Sequence, residues 1–202
     1  LVNRGSLNNK GVELTLNGSL IDKNDFSIDI GGNIAFNKSK IQNLGGTPED
    51  IYINGNIENR VFYRGQNIST GNYFRAPANI FMEGEEVGLF YGFETDGIYQ
   101  TEDVITVSGV QAGDLRIVDQ NGDDAITEAD RTIIGNPNPD FVYGGYLSMN
   151  YKRLNLSIQM NGVYGNEIAN GNSIQLGTAE GRSANILSQA YNNAWRPDAQ
   201  SN

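Results

Sequence analysis

Apolar and polar residues alternate along two stretches near the beginning of the chain. From Val12 to Asn17 every second residue is apolar, and after a polar turn at residues 22–25 the alternation resumes from Phe26 to Phe36. A period of two residues is that of a β-strand with one apolar and one polar face. The pattern therefore predicts a tight antiparallel hairpin within residues 1–37.

The same alternation returns in the second half of the chain. It runs over residues 141–151 and, after a short turn at Lys152-Arg153, over residues 154–164. Two alternating stretches joined by a short polar turn are typical of a β-hairpin. We therefore expect a second hairpin within residues 141–165, built in the same way as the first.

The length of these strands favours a membrane barrel. Strands in globular proteins usually have about 5–6 residues, whereas a tilted strand that crosses a bilayer needs about 9–11. In membrane strands, aromatic side chains lie at the two interfaces. This chain carries aromatic residues near the ends of the apolar faces, at Phe26, Phe36, Tyr143, Tyr151 and Tyr164. We predict an all-β fold, namely a fragment of an antiparallel transmembrane β-barrel with a long folded extracellular loop.

The connections between the strands are asymmetric. The turns within each hairpin are short, whereas residues 38–140 separate the two hairpins. Outer-membrane barrels have short periplasmic turns and long external loops, so we expect 38–140 to be extracellular and 166–202 to begin the next external loop. Four strands cannot close a barrel, and open sheet edges leave backbone groups unsatisfied in lipid. We therefore expect the chain to be part of a larger barrel.

A β-sandwich is the main alternative, because alternation alone also marks the core and solvent faces of an ordinary sheet. Such a protein would be a secreted or surface-attached module that binds carbohydrate with the help of calcium. A sandwich would pack its apolar faces against each other. It would therefore bury Ile28, Ile30, Leu156 and Ile158 in a self-contained interior.

Composition and charge exclude several classes of function. The 25 Gly and 27 Asn among 202 residues disfavour a helical bundle. A net charge of -10 argues against a nucleic-acid partner. The chain contains neither Cys nor His, which excludes disulfides, Cys/His zinc sites and a Ser-His-Asp triad within it. No spacing identifies a pair of catalytic carboxylates, so we do not expect an enzyme.

The long connection between the hairpins contains strand signals of its own. Short apolar stretches occur at 51–53 and 61–64, and aromatic residues with glycines occur at 88–93 and 97–100. A connection of this length is either functional or partly folded. We interpret the aromatic residues as the core of a folded loop; the alternative is that exposed rings stack on sugars or on a partner protein.

The sharpest local signal is the acidic loop, residues 119–130. Calcium-binding loops of twelve residues supply side-chain oxygens from positions 1, 3, 5 and 12 and a backbone carbonyl from position 7. This loop offers a ligand at each of those positions: Asp119, Asn121, Asp123, the carbonyl of Ala125, and Asp130. We therefore predict a structural Ca²⁺ site, with no other cofactor.

Two departures from the calcium pattern keep an alternative open. Position 6 is Asp124 instead of Gly, although Asp tolerates left-handed backbone geometry better than most residues. Position 12 is Asp130 instead of Glu, which shortens its reach. The alternative is a turn rich in Asp and Asn that binds nothing. A second acidic group, Glu83, Glu85 and Glu86, is interpreted as solvated surface.

Several motifs together resemble the SusC/RagA family of TonB-dependent outer-membrane transporters. The most specific is residues 131–141, RTIIGNPNPDF. The others are GLFYGFETDGIYQ at 88–100, Gly-Asp at 113–114, DQNGD at 119–123, a strand-like NKGVEL at 9–14 and NNAWRP at 192–197. The resemblance extends over essentially the whole chain.

This resemblance implies a function and a set of partners. Family members are large barrels that import glycans or oligopeptides with a SusD-like surface lipoprotein, and TonB drives them through an N-terminal plug. This chain would then contribute wall strands and an external loop, without the plug, in the outer membrane of a Gram-negative bacterium. Lipid would cover the apolar faces, and the polar face would line the interior with Glu13, Asp29, Asn33, Asn155, Gln159 and Asn161.

Overall fold

The computed structural model describes residues 5–69, 75–177 and 185–198. Each predicted segment except the second hairpin therefore loses a part: residues 1–4, 70–74, 178–184 and 199–202 lie outside the described residues. In the described ranges, no helix has both the length and the apolar character that crossing a membrane would require.

The described residues form fourteen strands and three short helical segments. The strands are β1 (Ser6–Lys23), β2 (Phe26–Asn43), β3 (Glu49–Ile53), β4 (Asn56–Arg60), β5 (Phe62–Arg64), β6 (Asn67–Ser69), β7 (Arg75–Pro77), β8 (Asn79–Met82), β9 (Leu89–Phe93), β10 (Thr95–Ile98), β11 (Leu115–Ile117), β12 (Arg131–Gly135), β13 (Phe141–Tyr151) and β14 (Leu154–Tyr164). The helical segments are a 3₁₀ turn at Glu128–Asp130, α1 (Gly171–Gly177) and α2 (Ser188–Asn192). The predicted all-β class is confirmed.

The four longest strands form one antiparallel sheet in the order β1-β2-β13-β14. Both predicted hairpins are present, and each closes with a two-residue turn. In the middle of the sheet, Leu147 of β13 pairs with Ile30 on one side and with Ile158 on the other. The apolar residues of neighbouring strands therefore share a face, as the alternation predicts.

The first hairpin is longer than predicted. The expected boundary at residue 37 is wrong, because β1 and β2 have 18 residues each and β2 continues to Asn43. Beyond Phe36 the residues on both strands are mostly polar, so the alternation that marks a strand is lost there. Pairing with β1 continues nevertheless, with Asn8 opposite Lys40 and Lys10 opposite Lys38.

A bulge in β1 also escapes the sequence pattern. The register shifts between Ser19 and Ile21, so that Leu20 is the extra residue. Counting in steps of two from Leu14 would place Ile21 on the polar face. The bulge instead sets Ile21 opposite Ile28, on the apolar face.

The long connection folds into a subdomain with its own core, which we call the loop subdomain (residues 44–140). A second antiparallel sheet runs in the order β12-β9-β8-β5, and the β3–β4 hairpin packs beside it. The core consists of five buried side chains: Ile51, Ile80, Met82, Leu89 and Tyr91. Strands β3, β5 and β9 coincide with predicted strand signals, and the aromatic stretch at 88–93 supplies part of this core.

Only the first strand of the β3–β4 hairpin is among the predicted strand signals, at residues 51–53. Its turn is Asn54-Gly55, with φ values of 51° and 71°, as a type I′ turn requires. The Asn-Gly pair is the strongest short-range hairpin signal, so β4 was detectable from the sequence. The Tyr91 hydroxyl holds the hairpin against the second sheet by donating a hydrogen bond to the Tyr52 carbonyl at 2.8 Å.

Burial in the described residues is confined to the loop subdomain and the strand end that enters it. The buried apolar side chains lie between Ile41 and Tyr91, whereas Ile30 is 37% exposed and Leu156 and Ile158 are 45% exposed. Ile28 is half-buried. This exposure contradicts the sandwich alternative, in which these four residues form an interior.

Three glutamates bind partners within the loop subdomain, and their interpretation as solvated surface is wrong. A carboxylate oxygen of Glu83 accepts the Leu44 N–H at 2.7 Å, directly after β2. Glu85 pairs with Arg60 at 2.9 Å, and Glu86 accepts the Asn136 side-chain amide at 2.5 Å. Charge density alone did not reveal these partners, because they are distant in sequence.

The end of β2 and the segment near residue 195 also pack against the loop subdomain. Ile41 exchanges backbone hydrogen bonds with Gly84 and Glu85, and its side chain is buried. The indole N–H of Trp195 donates to the side-chain oxygen of Gln100 at 3.0 Å. These contacts fix the loop subdomain to the end of β2 and to the segment near residue 195.

Candidate functional site: a two-faced sheet and an acidic loop

The four-stranded sheet has one uniformly apolar face, which we call the apolar face. Within its described residues, from Val12 to Tyr164, no charged side chain interrupts this face between the two aromatic ends. Neighbouring strands align the residues in rows, for example Leu14-Ile34-Tyr143, Leu16-Gly32-Gly145-Met160 and Ile30-Leu147-Ile158. Most of these side chains have no neighbour above them among the residues that the structure describes, as their exposure shows. A surface of this kind requires an apolar environment.

Aromatic residues border the apolar face at both ends. At the end nearest the loop subdomain, the Phe141 ring stacks on Tyr164 at 4.9 Å and lies 5.6 Å from Phe36. At the end with the short turns, Phe26 meets Tyr151 edge-on at 6.1 Å. The two aromatic groups thus mark two levels on the same strands, as membrane strands place their aromatic belts.

The distance between these levels fits a lipid bilayer. About ten residue steps of roughly 3.3 Å separate Phe26 from Phe36, which gives about 33 Å along the strand. A strand tilt of about 40° reduces this to a height of about 25 Å, the height of the apolar band on outer-membrane barrels.

The opposite face of the sheet is polar and partly hydrogen-bonded across strands. The Ser19 hydroxyl donates to Asp29 at 2.6 Å, and the Asn150 amide donates to the Ser27 hydroxyl at 3.1 Å. Asn155 donates in turn to Asn150. The register places all six predicted interior residues on this face: Glu13, Asp29, Asn33, Asn155, Gln159 and Asn161.

A shallow depression of about 400 Å³ lies at the centre of the polar face. Its lining includes Thr15, Asn17, Asn33, Tyr146, Gln159 and Asn161. The Tyr146 ring lies over Gly31, at a distance that a Cβ on residue 31 would not permit. The sequence pattern does not predict this contact, because it depends on the register that places Tyr146 opposite Gly31 on the neighbouring strand.

The acidic loop closes on itself through Asp119. Its carboxylate accepts backbone N–H groups from Gly122 at 2.7 Å, Asp124 at 2.8 Å and Asp123 at 3.3 Å. Desolvation raises the pKa of Asp119, but the backbone N–H donors, with Asp124 first, outweigh this effect and hold the pKa below its usual value. Asp119 therefore organises the loop as an ionised carboxylate.

The other predicted ligands also take part in the loop's own hydrogen bonds. Asp130 is fully buried and accepts the N–H of Gln120 at 3.0 Å and of Thr127 at 2.7 Å. Asp123 accepts the Ala125 N–H at 2.9 Å, and Asn121 accepts the Asp123 N–H at 3.1 Å.

Asp124 has a φ of 60°, so the sixth position adopts the left-handed geometry expected of it. This geometry is compatible both with a calcium loop and with a turn that binds nothing.

The residues of the acidic loop suit a hard cation in type but already have partners. Carboxylate, amide and carbonyl oxygens are the ligands that Ca²⁺ prefers. Among the described residues, however, no three acidic side chains form a group that would hold a metal ion. The predicted set relies on Asn121 and the Ala125 carbonyl as well, so calcium binding at this loop stays a prediction.

A mostly apolar cleft of about 640 Å³ lies between the loop subdomain and residues 167–169 and is not evident from the sequence. Strands β9, β11 and β12 and residues 167–169 contribute to it. Its walls include Phe90, Phe93, Leu115, Ile117, Ile134 and Ile168. Arg131 lies at the same cleft, with its guanidinium 4.9 Å from the centre of the Phe93 ring. Tertiary pairing of distant segments creates this cleft.

Comparison with known proteins gives a consistent group of relatives. No family model matches the chain. TonB-dependent receptor P3 of Formosa agariphila is 32% identical over 200 residues, which covers 96% of this chain and 18% of the relative. TonB-dependent receptor P26 of the same organism is 30% identical over 175 residues (84% of this chain, 16% of the relative). The TonB-dependent receptor SusC of Bacteroides thetaiotaomicron is 28% identical over 167 residues (82% and 15%).

Solved structures agree with these relatives at the level of the fold. The RagAB peptide transporter matches 98% of this chain with a TM-score of 0.63 at 22% identity, over 19% of the matched chain. The RagAB peptide importer in its closed-closed state matches 81% with a TM-score of 0.54, over 16% of that chain.

The chain spans less than a fifth of the length of these proteins. Within that span, similarity covers nearly the whole chain, and the motifs, the long antiparallel strands and the solved structures agree. The chain belongs to the SusC/RagA family of TonB-dependent receptors.

Proposed function

We propose that this chain forms part of the wall and one external loop of an outer-membrane importer for large nutrients. The observation that carries the proposal is the apolar face, which spans about 25 Å between two aromatic levels and is not covered by any other part of the described chain. Lipid satisfies such a face, and neighbouring barrel strands satisfy the outer edges of β1 and β14. The wall performs no bond chemistry.

The polar face of the sheet is proposed to line the inside of the barrel. Its amide and hydroxyl groups are suited to contact water, a plug or a passing solute. The loop subdomain stands at the end of the strands beyond Phe36 and Phe141 and forms part of the outer mouth. Its core and its contacts with β2 hold it in a fixed position there.

The partners and the cargo are proposed by analogy with the relatives. Similarity to SusC and to the RagAB peptide transporter supports a SusD-like surface lipoprotein as the partner and a peptide or glycan as the cargo. TonB would supply the energy through a plug that these residues do not include. A calcium ion in the acidic loop, held by Asp119, Asn121, Asp123, Asp130 and the Ala125 carbonyl, would stabilise the loop subdomain without acting on the cargo.

Two substitutions at neighbouring positions test the orientation of the wall. Ile158 and Gln159 occupy successive positions at the middle of β14, on opposite faces of the sheet. Ile158→Arg in the receptor should oppose barrel assembly by about 2–4 kcal/mol, because it places a charge against lipid near the midplane. Gln159→Arg and Asn33→Arg should assemble normally, because they face the interior.

Assembly is measured as the amount of heat-modifiable, folded receptor in outer-membrane fractions. Loss of folded receptor for Ile158→Arg, with normal levels for the two interior variants, supports the proposal. Equal effects of Ile158→Arg and Gln159→Arg would contradict the assigned orientation.

A further inference from the structure

Three of the chain's five lysines lie together on one face of the β1–β2 hairpin. Lys10 pairs directly with Lys38, and Lys40 is the next residue on the same face, opposite Asn8. All three are exposed. We refer to Lys10, Lys38 and Lys40 as the lysine group.

The lysine group has no anionic partner in the described residues. None of the ion pairs found there involves these three lysines. Their register neighbours on the same face are Asn8, Val12 and Phe36, and none of these is acidic. Like charges placed directly opposite each other destabilise a strand pair. In a chain with a net charge of -10, an unneutralised lysine pair therefore indicates an anion from outside the described residues.

The position of the lysine group on the strands identifies the kind of anion. Lys38 follows Phe36 by two residues on the same face, which is about 7 Å along the strand, and Lys40 lies about 7 Å farther. Phe36 belongs to the aromatic level at the edge of the apolar face. The headgroup layer outside the hydrocarbon core is about 5–8 Å thick on each side. The lysine group thus begins at the depth of lipid headgroups.

The loop subdomain leaves this face free. Ile41 alternates with Lys40, so its side chain points to the opposite face, where it is buried against the loop subdomain. The folded loop therefore lies towards the inside of the proposed barrel. The lysines point outward, in the same direction as the lipid-facing residues.

We propose that the lysine group binds the phosphate-bearing headgroup of a lipid in the outer leaflet of the outer membrane. Two or more ammonium groups would share one phosphate, which removes the repulsion between Lys10 and Lys38 and anchors this edge of the receptor at a fixed depth. The inference rests on the proposed function, because it requires the apolar face to be in lipid with the loop subdomain outside.

The test uses the full receptor that carries this chain, purified in a non-ionic detergent and titrated with fluorescent diphosphoryl lipid A. The triple variant K10Q/K38Q/K40Q should bind it more weakly by roughly five-fold for each lysine removed. The variant K10R/K38R/K40R keeps the charges and should bind as the unmodified receptor does. The matched control is K23Q/K152Q, which removes the two lysines at the opposite end of the strands and should leave binding unchanged.

Two further probes separate the possible sources of phosphate. Dephosphorylated lipid A should bind the unmodified receptor and the triple variant equally, and inorganic phosphate should compete only at much higher concentration than lipid A. Effective competition by inorganic phosphate would overturn the assignment to a lipid headgroup.

Failure of this inference is distinguishable from failure of the proposed function. If the triple variant binds lipid A as well as the unmodified receptor does, or if K23Q/K152Q loses as much binding, the lysine group is not the site. The wall function would still stand, provided that Ile158→Arg and Gln159→Arg differ in assembly. If those two variants behave alike, the membrane orientation itself is wrong.

Discussion

The backbone of Gly55 lies directly against the carbonyl oxygen of Gln120, so the turn of the β3–β4 hairpin touches the start of the acidic loop. A Cβ at residue 55 would overlap that oxygen and approach the carbonyl carbon to 2.7 Å. The residue also has a φ of 71°, which L side chains rarely adopt. One contact therefore links two parts of the loop subdomain that are distant in sequence.

Gly55→Ala should destabilise the loop subdomain by about 1–3 kcal/mol, because both the backbone strain and the overlap with Gln120 oppose the side chain. Hydrogen–deuterium exchange of β3 and β4 amides in the receptor measures the effect as faster exchange. Gly109→Ala is the matched control, since its φ is 82° but no atom lies within 4 Å of the added Cβ. Identical exchange of the β3 and β4 amides in the two variants would show that the contact with Gln120 does not contribute to the stability of the loop subdomain.

Tyr91→Phe should weaken the packing of the β3–β4 hairpin by about 1 kcal/mol, because it leaves the Tyr52 carbonyl without its donor. Exchange of β3 and β9 amides measures the loss. Tyr63→Phe serves as the control, because its side chain is half-exposed. A change in exchange as large for Tyr63→Phe as for Tyr91→Phe would contradict this role of the Tyr91 hydroxyl.

The same tyrosine gives the loop subdomain an alkaline limit. Burial raises the pKa of Tyr91 above the ordinary value of a tyrosine, about 10, although Arg64 and Arg131 oppose the shift. Because the folded pKa of Tyr91 is higher than its unfolded pKa, the neutral side chain contributes its full stabilisation of the folded state below about pH 10. This stabilisation is lost as the pH rises through the folded pKa. β9 exchange should therefore accelerate above pH 10 in the unmodified receptor and less so in Tyr91→Phe. Equal acceleration would exclude Tyr91 as the cause.

Asp119 should impose an acid limit on the acidic loop. The folded pKa of Asp119 lies below its usual value. The ionised carboxylate therefore stabilises the folded loop fully above the unfolded pKa of about 3.8, and this stabilisation is lost as the pH falls through the folded pKa. In the presence of a chelator, proteolysis within residues 119–130 should accelerate below pH 4 in the unmodified receptor. Asp119→Asn should be cleaved faster at neutral pH and show a weaker acid dependence. An unchanged acid profile in this variant would place the titrating group elsewhere.

Calcium should raise the thermal stability of the receptor if the acidic loop binds it, because a ligand that binds only the folded state stabilises it by mass action. Removing Asp119 with an Ala substitution should abolish the calcium-dependent shift in Tm. Asp22→Ala, in β1 and far from the loop in sequence, is the control and should keep the shift. If calcium gives the same shift in the unmodified receptor and in Asp119→Ala, the predicted site is wrong.

The sequence by itself determined the two hairpins and the orientation of their faces. Alternation from Phe26 to Phe36 and from Phe141 to Tyr164 is a local property, since a strand repeats every two residues whatever lies beside it. The left-handed conformation of Asp124 was also foreseeable, because the geometry of a turn depends on a few adjacent residues. For the same reason the Asn54-Gly55 pair marks the β3–β4 turn in the sequence and is sufficient to predict β4.

Only the tertiary structure decided what depends on partners distant in the chain. The polar extension of β2 to Asn43 exists because β1 pairs with it, and no apolar pattern marks it. Glu83 and Glu86 look like surface charges until Leu44 and Asn136 come within hydrogen-bonding distance. The adjacency of Lys10 and Lys38 likewise follows from the strand register. Residues that are 28 or more positions apart become neighbours only through pairing, and local periodicity carries no information about it.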